Sequence, residues 1–143
     1  MFWKIFFVIA AVGLVFFIFK PAREASPISE IKIGGAKLNI QLADTPEKHR
    51  LGLSGRTTLG ENEGLLFVFN AVGTPGFWMK DMNFPIDIIW VSQNGSIAGI
   101  TENIPLESFP KTFSSPSPIL YVIEVNAGWA ARNNIRVGDT VKF

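Results

Sequence analysis

The sequence predicts a mainly β domain: a compact β-sandwich, jelly roll or barrel with one or two short helices, preceded by an N-terminal transmembrane helix. Short segments that alternate apolar and polar residues recur about every ten residues between turn residues, which is typical of all-β domains. The long helical patterns that a parallel α/β fold requires do not occur in the sequence. Residues 5–19 have no polar side chain, which favours a membrane-spanning helix.

The apolar N-terminal run is close to the length that a bilayer requires. With Met1–Trp3 included and Lys4 snorkelling, residues 1–19 approach the roughly 20 residues of a membrane span. Residues 20–27 lack the spaced pair of small residues that a signal peptidase recognises. We therefore expect residues 1–20 to anchor the chain in the membrane, residues 21–30 to be a linker and residues 31–143 to fold outside the cytoplasm.

Composition excludes several kinds of chemistry. The 143 residues suffice for one domain, and the net charge of +1 disfavours a nucleic-acid partner held by counterion release. Without cysteine there is no disulfide, thiolate cluster or cysteine nucleophile, and His49 is the only histidine. We expect no metal and no cofactor. His49 stands among charged residues, which predicts a solvated helix face.

The elements follow from local patterns. Gly34–Gly35 separates two alternating segments as a hairpin, and Asp44 or Thr45 caps a helix that ends near Leu53. The turn at residues 93–96 gives the strongest hairpin signal. Strands are predicted at residues 31–33, 38–42, 65–69, 77–80, 86–91, 97–100, 119–125 and 141–143, with one or two helical turns at 127–133. Residues 70–85 and 101–118 are predicted as long loops, which are often functional.

The segment Phe77–Met82 has the densest mixture of aromatic, thioether and charged side chains. Alternation places Phe77 and Met79 in the core and Trp78 and Lys80 together on the other face, where an indole and a cation suit ligand binding. An ordinary core strand explains the same pattern. The Met79–Met82 pair provides too few soft ligands for a copper site.

Two acidic residues interrupt apolar strands. Asp87 is predicted on the same face as Ile89 and Val91, and Glu124 lies within the last long strand. A buried carboxylate needs a partner, so each residue either joins a structural network of arginines or backbone amides, or serves in an acid–base pair. The sequence leaves both alternatives open.

Six sequence blocks stand in a fixed order: HRLGLSGR at 49–56, EGLLFVF at 63–69, FWMKDM at 77–82, FPIDIIW at 84–90, VIEVNAG at 122–128 and IRVGDTV at 135–141. Together they resemble the uncharacterised DUF192 family, and the match covers about residues 35 to 143. The family often carries methionine where this chain has Ser54 or one of Leu65 and Leu66, departures that we expect to affect packing and not the family resemblance. The resemblance implies a compact, mainly β domain, often behind a signal or membrane segment, and no established activity.

The resemblance also marks candidate site residues without assigned roles. These are Arg50, Arg56, Glu63, Trp78, Lys80, Asp87, Glu124 and Asp139.

Three functions are compatible with these residues. The first is a membrane-tethered binding module for a polar ligand such as a saccharide or cell-wall fragment, with a pocket between loops 70–85 and 101–118 above Trp78, Lys80 and Asp87. The second is a hydrolase that pairs Asp87 with Glu124 or Glu63. The third is a protein-interaction domain that uses Phe109, Phe113 and the proline-rich loop.

Overall fold

The computed structural model describes residues 29–143, so the expected membrane anchor lies outside the described residues. These residues form seven strands, two short helices and a 3-10 turn at Leu106–Ser108. The strands are β1 Ser29–Ile33, β2 Ala36–Ala43, β3 Glu63–Gly73, β4 Ile86–Val91, β5 Ile97–Ile104, β6 Ile119–Asn126 and β7 Val141–Lys142, and the helices are α1 Pro46–Leu51 and α2 Trp129–Arg132.

All seven strands belong to one curved sheet in the order β5-β4-β6-β3-β2-β1-β7. Neighbouring strands are antiparallel except β2 and β3, which run parallel because α1 crosses between them. The two edges approach each other, since the Ile97 amide donates to the Asp139 carbonyl at 2.9 Å and the Val141 amide donates to the Gly95 carbonyl at 2.8 Å. The sheet is thus a partly closed barrel.

The sheet has a hydrophobic core on each face. The inner core fills the curve of the sheet around Trp129 of α2, together with Ile33, Leu38, Ile89 and Ile123. The outer core packs around Phe67 and Trp90 and is covered by α1 and the long loops. Because both faces are covered, all six residues of β4 are buried.

Most of the predicted elements are confirmed. The mainly β class, the short helices, both hairpins and the Thr45 cap agree with the structure, in which Thr45 Oγ1 accepts from the Lys48 amide at 3.3 Å. A two-sheet sandwich is not formed by residues 29–143, because every strand joins the same sheet.

The predicted strand at residues 77–80 and the extent of the two loops are corrected. Strand β3 continues to Gly73 and β5 continues to Ile104, so both loops are shorter than expected. In place of a strand, the first loop has an isolated β-bridge at Phe77. The Phe77 amide and carbonyl exchange hydrogen bonds of 2.8 and 2.7 Å with Phe113 of the second loop. This single bridge joins the two loops over the outer core.

Candidate functional site

A cleft of about 540 Å³ opens on the outer face of the sheet, between α1 and the loop before β4. Its walls come from α1 and the turn after it, from two aromatic residues of β3, and from Pro75–Met82. Its lining also includes Glu124 at the sheet. Trp78 and Lys80 belong to the Pro75–Met82 wall. The cleft therefore combines apolar rings with a few polar groups, as ligand sites commonly do.

Glu124 of β6 is a buried acid in this cleft. Its side chain is on the outer face, where Leu65 of β3 and Ile88 of β4 are its cross-strand neighbours. Glu124 is only 5% exposed, and its Oε2 atom has no hydrogen-bond partner among residues 29–143. Burial raises the pKa of the Glu124 carboxyl to about 8, against an opposing effect of the Arg56 guanidinium. At neutral pH the carboxyl is therefore largely uncharged.

Helix α1 reaches the cleft because Gly52 ends it in an unusual conformation. The Gly52 backbone has φ 51° and ψ −134°, and its amide donates to the Lys48 carbonyl. A β-carbon at this position would lie 3.7 Å from Glu124 Oε2 and 3.5 Å from the Phe67 ring. Glycine allows both the positive φ and the close approach to the acid.

Trp78 and Lys80 are exposed beside the cleft, as the alternation within Phe77–Met82 predicts. Trp78 is 52% exposed, and Lys80 Nζ lies 5.7 Å from the centre of its ring, whereas Met79 between them is buried. The Ser54 hydroxyl donates to the Lys80 carbonyl at 2.8 Å and so links this loop to the turn after α1. Ser54, where the family often carries methionine, is also one of the residues that line the cleft.

His49 lies in the cleft wall, not on a solvated helix face. Its ring is half-buried, 4.7 Å from the Phe69 ring and 5.9 Å from the Phe67 ring, and its Nε2 donates to the Ala43 carbonyl at 2.9 Å. The charged neighbours of His49 in sequence concealed this, because a short helix can point one residue inward while the others remain solvated.

Asp87 has a structural role on the other face of the sheet. It is fully buried, and its carboxylate accepts from three backbone amides: those of Asn103 at 2.8 Å, Gly128 at 3.0 Å and Ala130 at 3.1 Å. These bonds tie β4 to β5 and to the start of α2. The predicted alternative of a structural network therefore describes Asp87.

The other site candidates, Arg56, Glu63 and Asp139, are not among the residues that line the cleft. Arg56 is half-buried and its Nη2 donates to Gln41 Oε1 at 2.7 Å. Glu63 is exposed and its Oε2 accepts from the Gly60 amide at 3.1 Å, which closes the turn before β3. Asp139 accepts from the Arg136 amide at 2.8 Å in the turn before β7. Neither Glu63 nor Asp139 lines the cleft.

The structure thus brings Trp78, Lys80 and Glu124 together and separates Asp87 from them. The cleft lies between α1 and the first loop, and none of its lining residues belongs to the loop at 101–118, so the predicted position between the two loops above Asp87 is corrected. The physical reason is the Phe77–Phe113 bridge, which joins the two loops. An acid–base pair of Asp87 and Glu124 does not form, because their side chains are on opposite faces of the sheet.

The cleft residues that sequence reasoning missed include Gly52 and Asp81. Asp81 lines the cleft and has a positive φ of 55°, which is uncommon outside glycine. The only local signal was its place between two methionines in FWMKDM. Within residues 29–143, no group of three or more His, Asp or Glu side chains is placed to hold a metal ion, and no helix is long and apolar enough to cross a membrane.

The fold and cleft define a small, mainly β domain with one site between α1 and the loop before β4. A family model for DUF192, described as an uncharacterized ACR, matches residues 29–143. The chain belongs to the DUF192 family.

Two solved structures are similar to the chain. One, described as a candidate transcription regulator from Sinorhizobium meliloti 1021, is 27% identical, with a TM-score of 0.80 over 85% of this chain and 97% of that one. The other, a protein of unknown function from Novosphingobium aromaticivorans DSM 12444, is 32% identical, with a TM-score of 0.75 over 81% of this chain and 85% of that one. No curated protein sequence matches the chain.

Proposed function

We propose that this protein is a binding module for a small polar ligand, of the class of a saccharide or cell-wall fragment. In this proposal residues 1–20 tether the domain to the membrane and the domain lies outside the cytoplasm. The observation that carries the proposal is the cleft itself, in which an exposed indole, Trp78, accompanies a buried acid, Glu124.

The two residues suit the two kinds of surface of a sugar. The C–H face of a pyranose packs against an aromatic ring, and its hydroxyl groups need hydrogen-bond partners. Trp78 offers the ring and Glu124 offers an oxygen that has no partner among residues 29–143. Lys80, held near the Trp78 ring, adds a cation at the same side of the cleft.

The description of the Sinorhizobium meliloti protein raises the alternative of nucleic-acid binding, which the charge of this chain does not favour. Residues 29–143 carry 10 basic and 11 acidic side chains, whereas DNA-binding domains concentrate positive charge to neutralise phosphates. The aromatic rings of the cleft also line a recess, and they do not lie along a row of basic side chains that could follow a phosphate backbone.

The test is binding of a neutral trisaccharide, the N-acetylglucosamine trimer, to the full-length chain by isothermal titration calorimetry. A polyoxyethylene detergent, which has no sugar headgroup, keeps the apolar N-terminal run in solution. We expect Trp78→Ala and Lys80→Ala each to weaken binding about tenfold, equivalent to about 1.4 kcal/mol.

Matched controls come from outside the cleft. Phe143 is 57% exposed and packs on Tyr121, and Lys111 Nζ lies 4.9 Å from the Phe113 ring centre, so Phe143→Ala and Lys111→Ala remove similar side chains elsewhere. Both controls should bind like the wild type. Equal losses in the controls and the cleft variants, or no binding by the wild type, would contradict the proposal.

A further inference from the structure

We propose that Glu124 is the specificity-determining residue of the cleft and that its carboxyl binds an uncharged hydroxyl group of the ligand. This inference rests on the proposed function and specifies which chemical group the inner end of the cleft selects. It goes beyond the aromatic contact at Trp78, which every apolar ring or sugar face can make.

Glu124 Oε2 is a buried polar atom that no described residue satisfies. The side chain is 95% buried and lines the cleft, and Oε2 has no partner among residues 29–143. The neighbouring strands place Leu65 and Ile88 beside it, which offer no hydrogen bond. Buried polar atoms are nearly always paired in native proteins, so a ligand group is the natural partner for this oxygen.

The charges around Glu124 disfavour a charged partner. Helix α1 and the segment after it contribute His49, Arg50 and Arg56, and the loop before β4 contributes Lys80 and Asp81. Arg50 is paired with Glu47 at 3.2 Å and the charges of Lys80 and Asp81 oppose each other, so the Arg56 guanidinium is the group that repels an approaching ammonium. A carboxylate would have to give up its hydration next to another carboxyl. An uncharged hydroxyl, which both donates and accepts, avoids both costs.

The protonation of Glu124 fits the same partner. Burial raises the pKa of this carboxyl to about 8, partly offset by the Arg56 guanidinium. Below that pH the carboxyl carries a proton, so Oε2 can form a hydrogen bond with a ligand hydroxyl without placing a charge in the cleft. Above that pH the donor is lost and the site acquires a buried charge, so affinity should fall by up to tenfold per pH unit.

The experiment measures the affinity of the full-length chain for the N-acetylglucosamine trimer between pH 6 and pH 9.5. The glucosamine trimer, which is cationic at pH 6, is the charged comparison. We expect the neutral trimer to bind at least tenfold more tightly than the cationic one at pH 6, and its affinity to decline above pH 8.

Two variants isolate the carboxyl. Glu124→Gln keeps a donor and an acceptor but cannot ionise, so it should bind the neutral trimer at pH 6 and show no decline above pH 8. Glu124→Leu removes both groups and should bind at least tenfold more weakly at every pH. Thermal unfolding checks that each variant folds. If one of the two variants does not fold, the other still tests the role of the carboxyl.

The outcomes separate the two proposals. Binding of the neutral trimer with the same affinity at pH 6 and pH 9.5, or wild-type affinity in Glu124→Leu, overturns the inference about Glu124 and leaves the binding module standing. Tighter binding of the cationic trimer at pH 6 also overturns it. No binding of either trimer by the wild type at any pH contradicts both proposals.

Discussion

Two buried acidic residues on adjacent strands of this protein have opposite roles. Asp87 of β4 and Glu124 of β6 belong to the same part of the sheet, where Asp87 pairs with Val125 and Glu124 pairs with Ile88. Asp87 is on the inner face, and its carboxylate accepts hydrogen bonds from three backbone amides. Glu124 is on the outer face, and its Oε2 has no hydrogen-bond partner among the described residues. The first acid stabilises the fold, and we propose that the second binds a ligand.

Loss of the Asp87 carboxylate should destabilise the protein strongly. Asp87→Ala leaves the amides of Asn103, Gly128 and Ala130 without their acceptor in a buried place, which should lower the free energy of unfolding by about 3 kcal/mol. The control is Asp44→Ala, which removes only an exposed pair with Lys48 and should leave stability almost unchanged. Urea denaturation measures both. Equal losses would contradict the structural role.

Glu124 should make stability depend on pH in a predictable direction. Its pKa is about 8 in the folded state and 4.5 as the ordinary value, so between these limits the folded state holds a proton that the unfolded state has released. The free energy of unfolding should therefore fall as pH rises from 4.5 to 8, by up to about 1.4 kcal/mol per pH unit.

Glu124→Gln supplies the reference for this dependence. The variant has no titrating group at this position, so the difference in melting temperature between Glu124→Gln and the wild type should widen in favour of the variant from pH 5 to pH 8. Thermal unfolding at four pH values measures it. A constant difference would show that Glu124 titrates at its ordinary value in the folded protein.

The sequence predicts the face on which Asp87 lies better than the partners of its carboxylate. Alternation alone placed Asp87 with Ile89 and Val91, and the inner core contains both. The amides that satisfy Asp87 belong to residues 16, 41 and 43 positions away along the chain. Such distances depend on the path of β5 and on the turn into α2, which no local pattern encodes. Likewise, nothing near Glu124 in sequence indicated that α1 would cover it.

At the scale of elements, the short helix α1 and its end at Gly52 shape the cleft. Thr45 caps the helix, His49 packs on the β3 aromatic rings, and Gly52 passes over Glu124. The helix signals of Thr45 and Pro46 were readable from the sequence. The approach of Gly52 to β6 was not, because it requires the tertiary placement of α1.

Gly52→Ala should damage both stability and binding. The positive φ strains any side chain, and the new methyl group would contact Phe67 and the free oxygen of Glu124, so the unfolding free energy should fall by about 1–2 kcal/mol and trimer affinity should fall with it. Gly55→Ala is the control, because Gly55 has φ 74° but no atom within 4 Å of the added carbon. It should lose stability and keep its affinity. Equal affinity in the two variants would contradict the contact at Gly52.

At the scale of the whole molecule, closure of the sheet depends on its last and shortest strand. Strand β7 pairs with β1, and hydrogen bonds to the β4–β5 hairpin bring the two edges of the sheet together. Most strands were predictable from alternation and turn residues. The parallel pairing of β2 with β3 and the strand order were not, because they are set by packing between residues far apart in the chain.

Val141 should be the residue through which β7 contributes most to stability. It is 4% exposed within the inner core and its amide bonds to Gly95. Val141→Ala should lower the free energy of unfolding by about 2 kcal/mol, because a cavity remains in the core. Val137 is 63% exposed, so Val137→Ala removes the same atoms from the surface. This control should change the free energy of unfolding by less than about 0.5 kcal/mol. Equal effects, measured by urea denaturation, would show that β7 does not close the core.

An NMR titration of the full-length chain with the N-acetylglucosamine trimer tests whether this ligand binds in the cleft beside Trp78. The indoles of Trp90 and Trp129 are buried and donate to Thr101 and Asn62, whereas Trp78 is exposed at the cleft. We expect the Trp78 indole and the Ser54 amide to shift, while the Trp90 and Trp129 indoles stay in place. An unchanged Trp78 signal at saturating trimer, or shifts confined to residues outside the cleft, would contradict the account.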